Sequence, residues 1–397
     1  MQVVRGAAIA LLMWAAAGIG CQQDDPVKEP VAEPVAEPAE TPPDDAFDAP
    51  ADTTAAKPEL SAEQKAAIAR MQAAGAGVEL DEAGFPVHID LASERVFADE
   101  GLVRAALLFP NLKGLRLAVS SVPQATLAQL ASLTGLEELF LQDAAIDDAG
   151  ITALLTPMPN LRRLTLRRLN NVTDDGLAAI ARAGNLDVVA LIEMNQLTTA
   201  GLEPLARLPR LRSLDLRNCG RLTVEDFGRL ADFKTMAEVK LGGPAVSDAV
   251  ADVIICLPQV RSLTIEDAEI SGAFLDKLAA DKATVERLET LAFARCYGIT
   301  DEALAAIGKF SNLQTLSLRD IMLSGQFLVK LREEGKALLS LTSLTVTNAF
   351  LDDAAIGQLP TVAPNLERLD LRGNPGITDA SGPTFEKLSK LKELKLE

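Results

Sequence analysis

The sequence predicts an α/β solenoid, a curved stack of about twelve coils with a parallel sheet inside and helices outside. Three observations predict it. The first is a period: an apolar triplet at positions one, four and six of a unit starts at Leu112, Leu136, Leu161, Leu186, Leu211, Met236, Val260, Leu288, Leu313, Leu341, Leu366 and Leu391. Successive starts lie 24 to 28 residues apart, and a register held that long is the mark of stacked repeats. The second is alternation, as in Leu214 and Leu216 against Ser213, Asp215 and Arg217, which predicts a short strand with one apolar face. The third is punctuation: Pro157 and Pro159, Pro209, Pro258 and Pro360 stop apolar helical runs and reset the chain for the next strand.

Each element of a coil follows from these patterns. After the strand, Val172-Thr173-Asp174 or Ile299-Thr300-Asp301 places an oxygen-bearing side chain before a helical pattern such as Leu177, Ile180 and Ala181, which suits an N-cap. Acidic pairs such as Asp147-Asp148 and Asp174-Asp175 recur there, where they complement the helix dipole. One coil cannot bury its own apolar face, so coils must stack. Strands stack at about 4.8 Å, whereas helix axes need about 8–10 Å, so the stack must curve with its sheet inside. Twelve strands give an inner arc of roughly 50 Å, enough to hold a folded domain.

The stretches "LRRLTLRRLNNVTDDGL", residues 161 to 177, and "LETLAFARCYGITDEAL", residues 288 to 304, resemble the leucine-rich repeat family. The resemblance is to its cysteine-containing type, known from F-box and ribonuclease-inhibitor-like proteins, whose consensus is Leu-x-x-Leu-x-Leu-x-x-Cys-x-x-Ile-Thr-Asp-x-Gly-Leu. It extends over residues 108 to 397 and implies a horseshoe fold, without specifying a function. A fold hosts many functions, so it does not name the partner. In this frame Cys219 and Cys296 stand at the ninth position of their coils, where Leu169, Met194, Ala144, Ala268 and Asn374 stand in others. They are expected to be buried rungs, not catalytic thiols. Cys256, in the apolar run "VIICL", is expected in the core, and all three are expected as free thiols.

The ends differ in composition. Arg5 is the only charge before "GAAIALLMWAAAGIG", too short to span a membrane and followed at once by Cys21. This predicts a signal peptide over residues 1–20. "AGIGC" resembles the lipobox of bacterial lipoproteins, which implies lipidation of Cys21; the rival reading is cleavage near Ala17 and a soluble, secreted or periplasmic product. Residues 22–58 hold eight prolines and ten acidic residues against Lys28 and Lys57. Such a segment has nothing to bury, so residues 21–58 are expected as a disordered, lipid-anchored linker. Residues 59–107 are expected as the N-terminal cap, with a capping box at Ser61 and Gln64, a strand at "VHIDL" and a helix at "ADEGLVRAAL". The coils at Val260 and Leu313 are three residues longer than most, and residues 260–312 and 313–365 look like a duplicated two-coil unit.

Function is sought on the inner face, at the third, fifth and seventh positions of each coil. These carry nine basic and seven acidic residues, about +2 in a chain of net charge −18. One reading is a mixed solvated surface; the other is a face depleted of acid for a mildly acidic protein. Phe140, Val188 and Ile192 are apolar among them, with Arg163, Thr165 and Arg167 between, and Asp215 and Arg217 on the adjoining strand. This constellation is the expected partner-binding site.

Chemistry finds little support. The single histidine, His88, lies outside the regular repeats, and there is no Cys-x-x-Cys, His pair or glycine-rich phosphate loop. No catalytic residue, metal or cofactor is expected, and the acidic chain argues against nucleic acid. The expected protein is a monomeric, non-catalytic binding module held in a bacterial cell envelope, on the outer membrane or periplasmic face, by its N-terminal lipid. The alternative is an intracellular substrate-recognition adaptor like the leucine-rich repeat receptors of F-box ubiquitin ligases.

Overall fold

A computed structural model describes residues 59–94, 96 and 98–396; the expected signal peptide, Cys21 and linker lie outside the described residues. The described chain forms one 14-stranded sheet with its strands in sequence order. The strands are β1 (Gly77–Leu80), β2 (Pro86–Leu91), β3 (Gly114–Ala118), β4 (Glu138–Gln142), β5 (Arg163–Arg167), β6 (Val188–Ile192) and β7 (Ser213–Arg217). They continue as β8 (Glu238–Gly242), β9 (Ser262–Glu266), β10 (Thr290–Ala294), β11 (Thr315–Arg319), β12 (Ser343–Thr347), β13 (Arg368–Asp370) and β14 (Glu393–Lys395). From β2 onward every neighbour is parallel and like positions face like, as in Leu164 opposite Val189 and Leu316 opposite Leu344. Between strands the chain runs through short helices, such as Asp148–Leu155 and Asp174–Ile180, that cover the other side of the leucine core.

The cap forms as its sequence dictates, with one addition. Ser61 Oγ accepts from the Gln64 amide at 3.1 Å and Gln64 Oε1 accepts from the Ser61 amide at 3.0 Å, which starts the helix Ala62–Ala73. Gly75, at φ 86°, ends it in the left-handed conformation that glycine adopts without strain. "VHIDL" lies in β2 and "ADEGLVRAAL" holds the helix Glu100–Ala106, capped by Asp99. The addition is β1, "GVEL", a short mostly exposed strand antiparallel to β2 that no alternation announced.

Eight of the strands end in a repeated turn. Asp143, Arg168, Glu193, Asn218, Asp267, Arg295, Asp320 and Asn348 all have φ between 51° and 58°. They are eighth positions of their coils, and a side chain there is strained. What holds them is a bond to the next coil: Arg168 N donates to Ile192 O at 3.1 Å and Arg295 N to Arg319 O at 3.0 Å, carrying the sheet ladder one residue past the strand.

Two further ladders join coil to coil. At the ninth position, Cys219 Sγ lies 3.1 Å from Leu191 O, and Asn374 Nδ2 donates to Val346 O at 2.7 Å and Leu371 O at 2.8 Å. The rung reading therefore holds for Cys219 and Cys296, which are buried. At the helix starts, Asp148 accepts from Thr173 N and Oγ1, Asp174 from Thr198, Asp248 from Ser271, Asp301 from Ser324 and Asp353 from Thr378. These carboxylates thus clamp the next coil's cap besides facing their own helix. Donors from Ser381 and Thr378 hold the Asp353 carboxyl below the usual carboxylate range.

The clamp alternates in the C-terminal half, because Gly272 and Gly325 replace the aspartate in the two long coils. The extra residues there differ in form: after Gly272–Ala280 the first adds a second helix, Lys282–Arg287, whereas the other ends Gln326–Glu333 in a left-handed turn at Gly335.

Asn374 is 4 % exposed and satisfies two carbonyls and the Leu351 amide. Asn374→Ala strands those groups and is expected to destabilise the last coils by about 2–3 kcal/mol. Urea unfolding followed by amide hydrogen exchange over residues 341–395 measures it; protection unchanged in that segment contradicts the rung assignment.

Candidate functional site

The register of the sheet converts sequence positions into rows on the exposed face. One row runs Glu138, Arg163, Val188, Ser213, Glu238, and the next runs Arg116, Phe140, Thr165, Ala190, Asp215, Lys240. Arg167 stands opposite Ile192 in a third. The sequence-derived residues Phe140, Arg163, Thr165, Arg167, Val188, Ile192, Asp215 and Arg217 therefore fall on four adjacent strands, β4 to β7, as one contiguous surface.

Their surroundings are largely polar and paired. Phe140, Val188 and Ile192 are half-buried. The Arg116 guanidinium stands 4.2 Å over the Phe140 ring while its Nε donates to Asp90 at 3.2 Å, so one face of the ring is already covered by a cation. Arg163 pairs with Glu138 on the neighbouring strand, and Arg167 grips Glu193 at 2.7 Å. Arg168 binds Asp143 at 2.6 Å and holds that carboxyl below its ordinary range. The arginine heads thus already have carboxylate partners on the neighbouring coils.

Asp215 and Arg217 belong to a second cluster that sequence reasoning missed. Arg217 binds Asp215 at 2.7 Å and reaches Glu266, two strands away, at 3.0 Å. It can do so because Gly242 on β8, between them, has no side chain; a Cβ there meets Glu266 O at 2.8 Å and Arg217 Cγ at 3.2 Å. From the other side Arg319 reaches Glu266 at 3.1 Å past the small, buried Ala294 of β10, and Arg295 lies 3.7 Å away. Asp215 is 6 % exposed and Glu266 9 %, so this centre is a buried electrostatic knot in the middle of the face. The spacing 217, 242, 266, 294, 319 shows it only once the seventh positions are read as a row.

His88 lies on the cap strand β2, where the sequence places it. Because β2 joins the sheet, His88 stands opposite Gly114 in the same rows, and a Cβ on Gly114 meets its ring at 2.1 Å. Its Nδ1 is 3.1 Å from Glu79 but out of line for a hydrogen bond, so that contact counts only when the ring is charged. A cleft of about 460 Å³ opens there between β1, β2 and β3. From β2 to β7 is five strand spacings, about 24 Å, so His88 is no base for Cys219.

Burial pushes the Cys219 thiol up to about 12 and raises Cys296 as well. They are the free thiols among the described residues. Cys256 departs from its core expectation: it caps the helix Val250–Ile255, half-buried, and is not among the free thiols. On the inner face, Glu397 lies outside the described residues.

Two outcomes follow. Cys219 and Cys296 are expected to stay unmodified by a thiol reagent such as dithiobisnitrobenzoate at mildly alkaline pH until urea opens the chain; rapid modification of either in the native protein contradicts the rung. Glu266→Gln leaves Arg217, Arg295 and Arg319 crowded together without their shared anion. It is expected to destabilise the middle coils by about 2 kcal/mol, discounted because the arginine heads reach solvent, and urea unfolding of the variant against the parent measures it.

Comparison with known proteins agrees with this geometry. A family model described as "Leucine Rich repeat" matches residues 362–382. No curated protein matches the sequence. Among solved structures, a chain of the yeast Rad7 and Elc1 complex is similar with a TM-score of 0.55 and 20% identity, over 71% of this chain and 75% of that one. An internalin from Listeria monocytogenes has a TM-score of 0.44 and 18% identity over 85% and 90%. The TLR13 structure with ssRNA13 has a TM-score of 0.48 and 18% identity over 79% of this chain and 47% of that one. With a 25-residue period, an in-register parallel sheet and the likeness to the yeast chain, the fold is a leucine-rich repeat solenoid, an α/β horseshoe.

Proposed function

We propose that the chain is a non-catalytic protein-binding module that takes a folded partner on its inner face, around Phe140, Arg163, Thr165, Arg167, Val188 and Ile192, with Asp215 and Arg217 at the margin. The observation that carries this reading is the prior pairing of polar groups: Arg163, Arg167 and Arg217 already meet carboxylates of nearby coils, so docking immobilises few side chains and loses little entropy. The half-buried apolar groups between them supply area, and the cation over Phe140 orients its free face. A shallow surface of this kind offers shape and charge and encloses no reacting group.

The proposal includes a tether. Residues 1–20 direct export, Cys21 carries lipid, residues 22–58 form an acidic linker, and residues 59–107 cap the solenoid of residues 108–397. A module so built presents its face to proteins of a bacterial envelope. The second reading is the intracellular adaptor, and what favours it is that a similar solenoid occurs in a two-protein yeast complex.

Two measurements test these readings separately. The intact mass of the protein from its native cell is expected to show a chain beginning at Cys21 and carrying a diacylglyceryl group; a chain starting at Met1 turns the choice to the adaptor. The triple change Phe140→Asp, Val188→Asp and Ile192→Asp is expected to abolish partner capture with the far-ultraviolet circular dichroism unchanged. Capture at wild-type levels sinks the assignment of the site, whatever the mass shows.

A further inference from the structure

Four large apolar side chains among the described residues are at least 60% exposed, and three of them share one position of the repeat: Tyr297 at 67%, Met322 at 71% and Phe350 at 60%, whereas Leu339, at 63%, lies near the end of its coil. Each of the three is the tenth position of its coil, three residues past the end of β10, β11 and β12, and those strands are paired in register. The three coils are consecutive, so their tenth positions repeat at about the strand spacing of 4.8 Å along the rim where strands end. Together they expose on the order of 400 Å², the size of the largest apolar patch on an ordinary monomer, where such a patch is often functional. In the seven coils before them the same position is small or polar, at Ser121, Ala145, Asn170, Asn195, Gly220, Ala245 and Glu269, so that stretch of rim is built without an apolar ridge. Nothing in the repeat therefore requires these three residues, and the core beneath them is complete without them.

The charge around the ridge selects its occupant. In these three coils, positions eight to fifteen carry Asp301, Glu302, Asp320, Asp352 and Asp353 against the single cation Arg295. Arg295 is itself taken up by Asp267 at 2.5 Å. A second copy of this chain brings the same acidic rim and is repelled, and so is an anionic lipid surface. A segment with aliphatic or aromatic residues spaced to meet the ridge and Lys or Arg around them fits both features.

We propose that Tyr297, Met322 and Phe350 form a docking ridge for a basic, apolar polypeptide segment of a partner protein. The ridge is separate from the inner face, and the two sites stand or fall independently.

The test uses the full chain and two labelled synthetic peptides that share one amphipathic apolar pattern, with Lys at the polar positions of one and Glu at those of the other. Fluorescence anisotropy is expected to show binding of the Lys peptide, weakened by salt, and none of the Glu peptide. The triple variant Tyr297→Ser, Met322→Ser and Phe350→Ser is expected to bind at least about tenfold more weakly, at an unchanged thermal midpoint. A photocrosslinking amino acid placed at Tyr297 is expected to capture the Lys peptide, and one at Asn170, the same position on the polar rim, is not. Equal affinity of parent and variant overturns the proposal, as does equal crosslinking at both positions. A parent that sediments as a dimer, or floats with phospholipid vesicles, in a manner the triple variant loses assigns the ridge to another occupant and overturns it equally.

Discussion

Everything in this molecule depends on one constraint: no coil can satisfy itself. A unit of about 25 residues has one strand, one short helix and an apolar interior that closes only against the units on either side. Its polar backbone is in the same position. The amide of each eighth residue is satisfied by a carbonyl of the following coil, even at the cost of a left-handed backbone at Asp143, Arg168 or Arg295. The aspartate at one helix start closes the cap of the next. Because each coil lends its neighbours both core and hydrogen bonds, register is enforced several times over, and slipping one coil breaks all of these ladders together.

That enforcement makes the inner face usable. Strands locked in register place side chains 24 or 25 residues apart in sequence beside each other in space, where opposite charges pair and like charges separate. Glu138 with Arg163 is a nearest-neighbour pair; the Glu266 knot spans five strands and depends on what is missing, a side chain at Gly242 and a large one at Ala294. A buried carboxylate held by three arginines contributes modest net stability, since desolvation offsets much of the attraction. Its effect is geometric: it fixes where positive charge stands on the inner face.

Most of the architecture was legible because it is periodic. Leucines at positions one, four and six, Thr-Asp at helix starts and proline at coil ends each point to a local structure, and the strands and caps lie where those signals put them. Even Cys219, ambiguous alone, is decided by its place in the period. Illegible were the features that join different coils. Nothing local to Phe140 shows that Arg116, 24 residues earlier, covers its ring, and nothing local to Asp148 shows that it serves Thr173. The strand β1 escaped because its exposed "GVEL" has no apolar face to alternate. The ridge at Tyr297, Met322 and Phe350 escaped because tenth positions lie in the turn, outside both the strand and helix patterns, and show as a row only when coils are laid over one another.

The separation of core from columns also explains why likeness in fold carries so little about partners. A solenoid that keeps its apolar core positions can change its third, fifth, seventh and tenth positions without disturbing the interior. Each such column is a separate variable. In this chain the inner columns are nearly balanced in charge, while the rim around the ridge carries five acids to one base. The proposed inner-face site and the proposed ridge therefore differ in charge although they lie only a few residues apart in their coils. Recognition is written in the columns, and the repeat supplies only the rigid spacing at which they are read.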